Sequence, residues 1–361
     1  MLLEAALVLG FPEESKGASS ARPPVTILKP IHNAEPGLPA RLAEMCRQDY
    51  DGPIQILCGT KDSTSSAFGE VRAMQRKHPD TPIELHVNPR SHGSNRKVSN
   101  LINMLPRVRY DTVILSDSDI AVTPSYLRTI VPLLMPLHVG AVTCLYHGVP
   151  SDGLWSRLSA LSINSHFLPQ AIVGVNLGLT KPCFGATIAL RRTMLERIGG
   201  FDAFVDELAD DYAIGAAVRS AGYEVVIAPH VVGHCCFENS LRQLVQQQIR
   251  VARTIKNIDV VGHAGSIITH PWPLALIGML SGSSAAALLA VAALALRVML
   301  YRCVERRFGL SRENYWLIPL QDIIAFAIYV ASFFGATVHW RGTEYRVTAN
   351  GSLIEEDLRP L

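Results

Sequence analysis

Thr112-Val113-Ile114-Leu115-Ser116-Asp117-Ser118-Asp119-Ile120 decides how this chain is read. A short run rich in branched residues, bounded by polar turn formers, predicts a buried strand. In open α/β sheets ligands gather at the carboxyl ends of strands, and here that end is an Asp-x-Asp triplet. Two carboxylates one residue apart offer a small hard cation two oxygens on one side and leave its other positions to water or diphosphate oxygens. Asp-Ser-Asp is also an ordinary turn whose side chains bond the nearby backbone, so the triplet needs support from elsewhere in the chain.

Outward from it the pattern alternates. Strand-like runs at 25–29, 54–58, 83–87, 112–116 and 141–146 are separated by helix-like stretches at 38–47, 67–77, 97–105 and 126–134. A strand at 187–190, helices at 192–198 and about 211–220, and a strand at 224–228 follow. Repeated strand–helix–strand spacing predicts an α/β fold with a mainly parallel sheet covered by helices. The second strand runs into Gly59-Thr60-Lys61-Asp62, a second acidic strand end. Neither GxGxxG after the first strand nor GxxxxGK[ST] is present, so dinucleotide and P-loop binding lose their main support.

Asp210-Asp211 opens a helix. An acid there can cap the helix by accepting backbone N–H bonds, or act as a general base toward an attacking hydroxyl, and the two roles can coexist. Downstream, residues 246–256 read as an amphipathic helix whose i, i+3 spacing sets Arg250, Arg253 and Lys256 on one side, a cationic ridge facing either solvent, lipid headgroups or phosphate. Lys97, after the Gly93 loop, is another candidate for a diphosphate. His230-x3-His234-Cys235-Cys236 fits no closed zinc pattern and reads as strand-end histidines beside buried thiols.

The chain has 361 residues, 48% hydrophobic and 18% charged, which excludes a disordered linker. A formal charge of +2 gives no basic field for nucleic acid. Seven cysteines without a CxxC pair are expected to be reduced thiols. From 274 to 296 no charge occurs, a stretch longer than the roughly 20 residues that cross a bilayer as a helix. A second apolar run at 316–340, interrupted by Gln321 and Asp322, is expected to be a second span, with Trp316 and Trp340 at the interfaces and Arg341 after them. The expected organisation is therefore a short apolar stub and linker over 1–24, a catalytic domain over 25–265, a membrane region over 266–345 and a polar tail over 346–361. The stub lacks the features of an export signal.

Taken in order, Lys29-Pro30, Lys61-Asp62, His92-Gly93-Ser94-Asn95 with Lys97-Val98-Ser99-Asn100-Leu101, Asp117-Ser118-Asp119, Phe184-Gly185-Ala186-Thr187, Asp210-Asp211-Tyr212 and Gln247-x-x-Arg250 resemble the family 2 and family 21 glycosyltransferases. The likeness is to ceramide glucosyltransferases and bacterial hopanoid-biosynthesis glycosyltransferases, with a slight lean to the latter. It implies a GT-A fold, a UDP-sugar donor, a lipid hydroxyl acceptor such as ceramide or a hopanoid polyol, and inversion at the anomeric carbon. It implies donor binding by Lys29, Asp62, Lys97, Asp117 and Gly185, with Asp62 at the uracil. It further implies a divalent cation (Mg2+ or Mn2+) on Asp117 and Asp119, Asp211 as the base, and Gln247, Arg250 and Arg253 on the diphosphate and acceptor side.

Two departures stand out. Val251 occupies the position where the family pattern has Trp, and residues 1–10 are too short for the family's N-terminal membrane helix. The expected location is integral to a membrane with the catalytic domain facing the cytoplasm. Against this, the loop between the two runs carries Arg297, Arg302, Arg306, Arg307 and Arg312, which also favours the inside. An interfacial helix at 297–308, or a segment that does not fully cross, removes the conflict. The alternatives are a processive polysaccharide synthase, for which two spans offer little channel, and a non-catalytic sugar-nucleotide-binding membrane protein.

Overall fold

A computed structural model describes residues 1–14, 22–32, 35–80, 83–312, 315–335, 337–340, 343–348 and 352–355. The chain divides into two units, each assembled from separated segments: a sheet unit (12–146 and 182–235) and a helical unit (1–11, 147–181 and 236–361). The sequence suggested one continuous stretch over 25–265. In the structure 147–181 and 236–265 group with the C-terminal helices.

In the sheet unit β1 (Val25–Pro30) is buried along its whole length, which suits a central strand covered on both faces. It pairs in parallel with β2 (Ile54–Thr60), and β2 pairs in parallel with β3 (Ile83–Val87). On its other side β1 pairs in parallel with β4 (Thr112–Leu115). With β5 (Ile120–Ala121), β6 (Val139–Pro150), β7 (Ile188–Arg191) and β8 (Glu224–Cys236), the order is β3-β2-β1-β4-β7-β6-β8-β5. The expected parallel arrangement holds for β1 to β4. Beyond them β7 runs antiparallel to both β4 and β6, and β5 antiparallel to β8.

Alternation along the strands feeds two cores. Ile27, Ile56 and Ile114 join Leu42, Val71 and Tyr126 on one face. Leu28, Leu57 and Leu115 join Val98, Leu101 and Ile214 on the other. The helix expected over 126–134 is Tyr126–Ile130 followed by a 3-10 turn at Pro132–Leu134, since Pro132 cannot supply a helical N–H. None of the seven cysteines is in a disulfide, and five are buried.

The helical unit contains the helices Leu2–Leu9, Leu154–Ser162, Leu168–Asn176, Leu241–Ile258, Val260–Gly265, Pro271–Met279, Ser284–Phe308 and Leu317–Ser332. A π turn at Ile163–Phe167 joins the second and third of these. An antiparallel sheet of β9 (Thr337–Trp340), β10 (Thr343–Val347) and β11 (Leu353–Glu355) follows. The unit's interior holds Arg297, only 1% exposed. Its guanidinium meets Asp322 Oδ2 at 3.3 Å and donates to the carbonyls of Ser165 at 3.1 Å and Thr269 at 2.5 Å. Asp322 Oδ1 lies 2.8 Å from His166 Nε2.

Two expectations are corrected here. The run 274–296 is not one helix, for it breaks at residues 280–283, where Gly282 takes φ +75, a value that L side chains rarely adopt. The next helix begins with Ser283 accepting from the Ala286 N–H and continues through the Arg-rich stretch to Phe308, because Arg297 is paired inside the protein. The run 316–340 is helical only over Leu317–Ser332 and ends in strand β9. Lys256 Nζ donates to the Ser332 carbonyl at 2.8 Å and Arg253 Nη2 to that of Phe334 at 2.5 Å, so cationic side chains satisfy the helix's last carbonyls. Among the described residues one helix, Ser284–Phe308, is long and apolar enough to cross a membrane by length and composition. Residues 15–21 of the expected linker, Arg341 and most of the expected polar tail lie outside the described residues.

Candidate functional site

Where β4 ends, Asp117, Ser118 and Asp119 form the turn into β5, closed by Ile120 N–H donating to the Asp117 carbonyl at 3.2 Å. Two polar side chains hold this turn. Lys29, fully buried on β1, donates from Nζ to the Asp117 carbonyl at 2.8 Å, with the Ile120 carbonyl at 3.5 Å. Burial pulls its pKa down to about 8, although Asp119, Cys58 and Asp117 oppose the shift. Ser118 Oγ donates to Glu35 Oε2 at 2.6 Å. Lys29 was expected on the donor; in the structure its Nζ holds the acidic turn from within the sheet.

Lys97 stands at the centre of the acids. Its Nζ lies 3.1 Å from Asp117 Oδ1 and 3.3 Å from Asp210 Oδ2. Burial opposes its charge, but Asp117, Asp210 and Asp211 together outweigh that and raise its pKa well above the ordinary lysine value. The helix that carries Lys97 is started by Asn95, whose Oδ1 accepts from the Lys97 and Val98 N–H groups at 3.0 and 3.1 Å. Asn95 Nδ2 donates to the Glu207 carbonyl at 2.8 Å and Ser94 N–H to Asp206 Oδ1 at 2.8 Å, which tie the loop before this helix to the one before Asp210.

Asp211 Oδ2 accepts the Gly185 N–H at 2.8 Å, and its Oδ1 accepts the Tyr212 N–H at 2.8 Å. A Cβ at position 185 would stand 3.0 Å from that Oδ2, so a larger residue there would make the carboxylate give by a few tenths of an ångström. Burial and the neighbouring Asp210 push the Asp211 pKa up to about 6 against Lys97 and the two N–H donors. A carboxylate ionised at neutral pH yet well above the usual acid range is suited to accept a proton.

Asp119 has a different neighbour. Its Oδ2 is 3.4 Å from His234 Nε2, across the register that pairs Ile120 with His234, and its Oδ1 is buried with no hydrogen-bond partner. A partnerless carboxylate oxygen beside an imidazole nitrogen fits a Mn2+-type cation in donor chemistry. Among the described residues no three acid, histidine or cysteine side chains close on one point, so such an ion would need oxygens from elsewhere. Asp117, by contrast, is engaged by Lys97. From sequence His234 was read as a strand-end histidine beside buried thiols, and its place beside Asp119 was missed because β5 is two residues long and gives no periodic signal that would pair it with β8.

Asp62 sits at the end of β2 with an exposed carboxylate that accepts from Thr64 N–H and Oγ1, both at 2.7 Å. The N–H bond, then the hydroxyl, lowers its pKa. Its carboxylate bonds Thr64 and not Lys97, Asp117, Asp210 or Asp211. Gln247, Arg250 and Arg253 belong to the helical unit, on the Leu241–Ile258 helix. Arg250 Nη2 donates to Gln247 Oε1 at 3.1 Å, whereas Arg253 is committed to the carbonyls of Thr337 and Phe334. The ridge read from spacing is real as a helix face, and Arg253 and Lys256 on it anchor the C-terminal segment.

The chain matches the model of glycosyl transferase family 21 over residues 3–353. It is similar to ceramide glucosyltransferase 1 of Caenorhabditis elegans, 24% identical over 209 residues, which cover 58% of this chain and 44% of that protein. It is also similar to ceramide glucosyltransferase 3 of the same animal, 20% identical over 93% of this chain and 75% of the relative. The chain thus spans less than half the length of the first relative. A mannosyltransferase from Pyrobaculum calidifontis, solved with GDP-Man and Mn2+, is similar in fold, with a TM-score of 0.56 and 21% identity over 92% of this chain and 93% of that one. The fold of the sheet unit is of the GT-A type.

Proposed function

The chain belongs to glycosyl transferase family 21, and on that premise we propose that it transfers one sugar from a UDP-sugar to a lipid hydroxyl with inversion. The observation that carries this is the gathering of Asp117, Asp210 and Asp211 around Lys97 at the carboxyl ends of the strands, with Asp211 pinned to the Gly185 N–H. In the reaction the acceptor oxygen bonds to the anomeric carbon as the bond from that carbon to the diphosphate oxygen breaks. Asp211 takes the hydroxyl proton, and UDP departs opposite the entering oxygen. Lys97 sets a positive charge beside the departing diphosphate. Asp62 accepts the uracil N3–H. Gln247 and Arg250 serve the acceptor side.

A divalent cation would be held by Asp119 with His234 beside it, and when bound would neutralise the diphosphate as it leaves. The names of the two nematode relatives support a ceramide-like acceptor and a glucose donor. A hopanoid polyol and an N-acetylglucosamine donor fit the same chemistry. A membrane location agrees with a lipid acceptor and with the apolar Ser284–Phe308 helix.

The test is UDP release by the full chain with UDP-glucose, UDP-N-acetylglucosamine or, as a control, GDP-mannose, against ceramide and hopanoid polyols in detergent–lipid micelles. Release that depends on lipid and yields a glycolipid of inverted anomeric configuration is expected. Donor binding without lipid-dependent release would replace this reading with a sugar-nucleotide-binding module.

A further inference from the structure

The charge-free stretch from Pro271 to Leu296 is folded back on itself. The helix Pro271–Met279 packs along the first part of Ser284–Phe308, and Arg297 Nη2 donates to the Thr269 carbonyl at 2.5 Å. The chain has therefore returned, at Arg297, to the level it left just before Pro271. Beyond that level the second helix is inside the protein, with Arg297, Leu300, Tyr301 and Val304 all buried. The part that is not enclosed is the pair of arms and the turn between them. Leu280 is 87% exposed, Leu288 73% and Val291 71%.

We infer that residues 271–296 are a hairpin that enters the acyl region of one bilayer leaflet and returns to the same side, so that the helix long enough to cross does not cross. Three observations favour lipid over a second protein as the occupant. The first arm is apolar on every side, and its exposed Leu274, Ile277, Met279 and Leu280 point in different directions around the axis, whereas a protein partner would cover one face. Several of the turn's polar groups are paired within the hairpin, as hydrocarbon favours. Ser281 Oγ donates to the Gly278 carbonyl at 2.7 Å, Ser283 Oγ accepts from Ala286 N–H, and the N–H groups of Leu280, Ser281 and Gly282 all close on carbonyls of the first arm. The helix Leu2–Leu9 packs against the Ser284–Phe308 helix, with Phe11 edge-on to Phe308, and exposes Leu2, Leu3 and Leu9, which adds apolar surface to the same unit.

The depth follows from length. The first arm, with 9 residues, spans about 13 Å, and a hydrocarbon core is about 30 Å thick. The hairpin reaches one leaflet only. This places the Arg-rich residues after 297 on the same side as the rest of the chain, and the conflict between positive charge and two crossing segments disappears. The inference rests on the helical unit alone and does not depend on the sugar chemistry.

The full chain is reconstituted in sealed vesicles of phosphatidylcholine and phosphatidylglycerol. Arg242→Cys and Arg312→Cys, both at exposed positions, are treated together in one protein with a membrane-impermeant maleimide and read peptide by peptide. Both are expected to be labelled on the same molecules in intact vesicles. Labelling of 242 with 312 shielded until the vesicles are opened would show a crossing helix and overturn the hairpin. Leu288→Trp, at an exposed position, is expected to add emission quenched by brominated acyl chains, and no quenching would overturn the lipid occupant. Leu288→Asp is expected to lower vesicle binding by about a hundredfold while leaving the detergent-solubilised fold intact. An unchanged binding constant, with self-association lost instead, would assign the surface to a second copy.

Discussion

Replacing Asp211 by Asn isolates the step at which a base is needed. Asn keeps the volume of the side chain, and its carbonyl oxygen can still accept the Gly185 N–H that Asp211 accepts at 2.8 Å, so the local backbone should persist. Proton acceptance by a positioned group is worth about 10²- to 10⁴-fold in rate, and kcat for lipid glycosylation should fall by that amount while donor affinity changes little. The native enzyme adds a second readout. With burial and then Asp210 pushing the carboxyl up to about 6, the basic form is about nine-tenths populated at pH 7 and about one-tenth at pH 5. Because the protonated form is inactive as a base, kcat should drop as pH falls through 6. Asp210→Asn removes the like charge that contributes to the shift, so its acid limb should move to lower pH. The assay is glycolipid formation under saturating donor and lipid from pH 4.5 to 8, with donor binding measured by calorimetry. Equal loss of binding and turnover in Asp211→Asn, or an acid limb that stays in place in Asp210→Asn, would refute the assignment of Asp211 as base.

Lys29→Met should retain the fold in circular dichroism yet weaken Mn2+ binding and turnover together, because the ammonium bonded to the Asp117 carbonyl at 2.8 Å holds the acidic turn. Free Mn2+ is read by electron paramagnetic resonance, and unchanged affinity would leave Lys29 with a packing role. Asp119→Asn should abolish the metal requirement together with most activity, and His234→Ala should raise the Mn2+ concentration for half-activity by about tenfold. Full activity of the native chain in chelator would count against both. Arg297→Leu should destabilise the helical unit by about 3–5 kcal/mol in denaturant unfolding, because it leaves Asp322 buried without its guanidinium partner. Arg297→Leu with Asp322→Leu should recover most of that loss.

The sheet and its acidic strand ends were legible because strand and helix periods differ and because β1, β2 and β4 end in register with one another. Thus Asp62, Asp117 and Asp119 could be located at strand ends from spacing alone. What those side chains touch could not be read the same way. Lys29 and Asp117 are 88 positions apart, and only parallel pairing of β1 with β4 brings them together. Asp62 looked equivalent to Asp117, but Thr64 two residues on captures its carboxylate. Hydropathy marked 274–296 as apolar and was blind to the turn inside it, since Ser281, Gly282 and Ser283 are small and uncharged. The ridge of Arg250, Arg253 and Lys256 was visible as a helical face, while the carbonyls that Arg253 and Lys256 satisfy lie more than 70 positions away.

The interleaving of the two units has a consequence for how the protein is made. The Leu2–Leu9 helix is translated well before the surfaces it packs on, Leu168–Asn176 and Ser284–Phe308. At about 5–20 residues per second it waits for roughly fifteen seconds or more as an unsatisfied greasy segment, open to chaperones or to the membrane surface itself. The units change over at four points, 11/12, 146/147, 181/182 and 235/236, so a fragment holding the sheet unit alone would have to start at 12, bridge 146 to 182 and stop at 235.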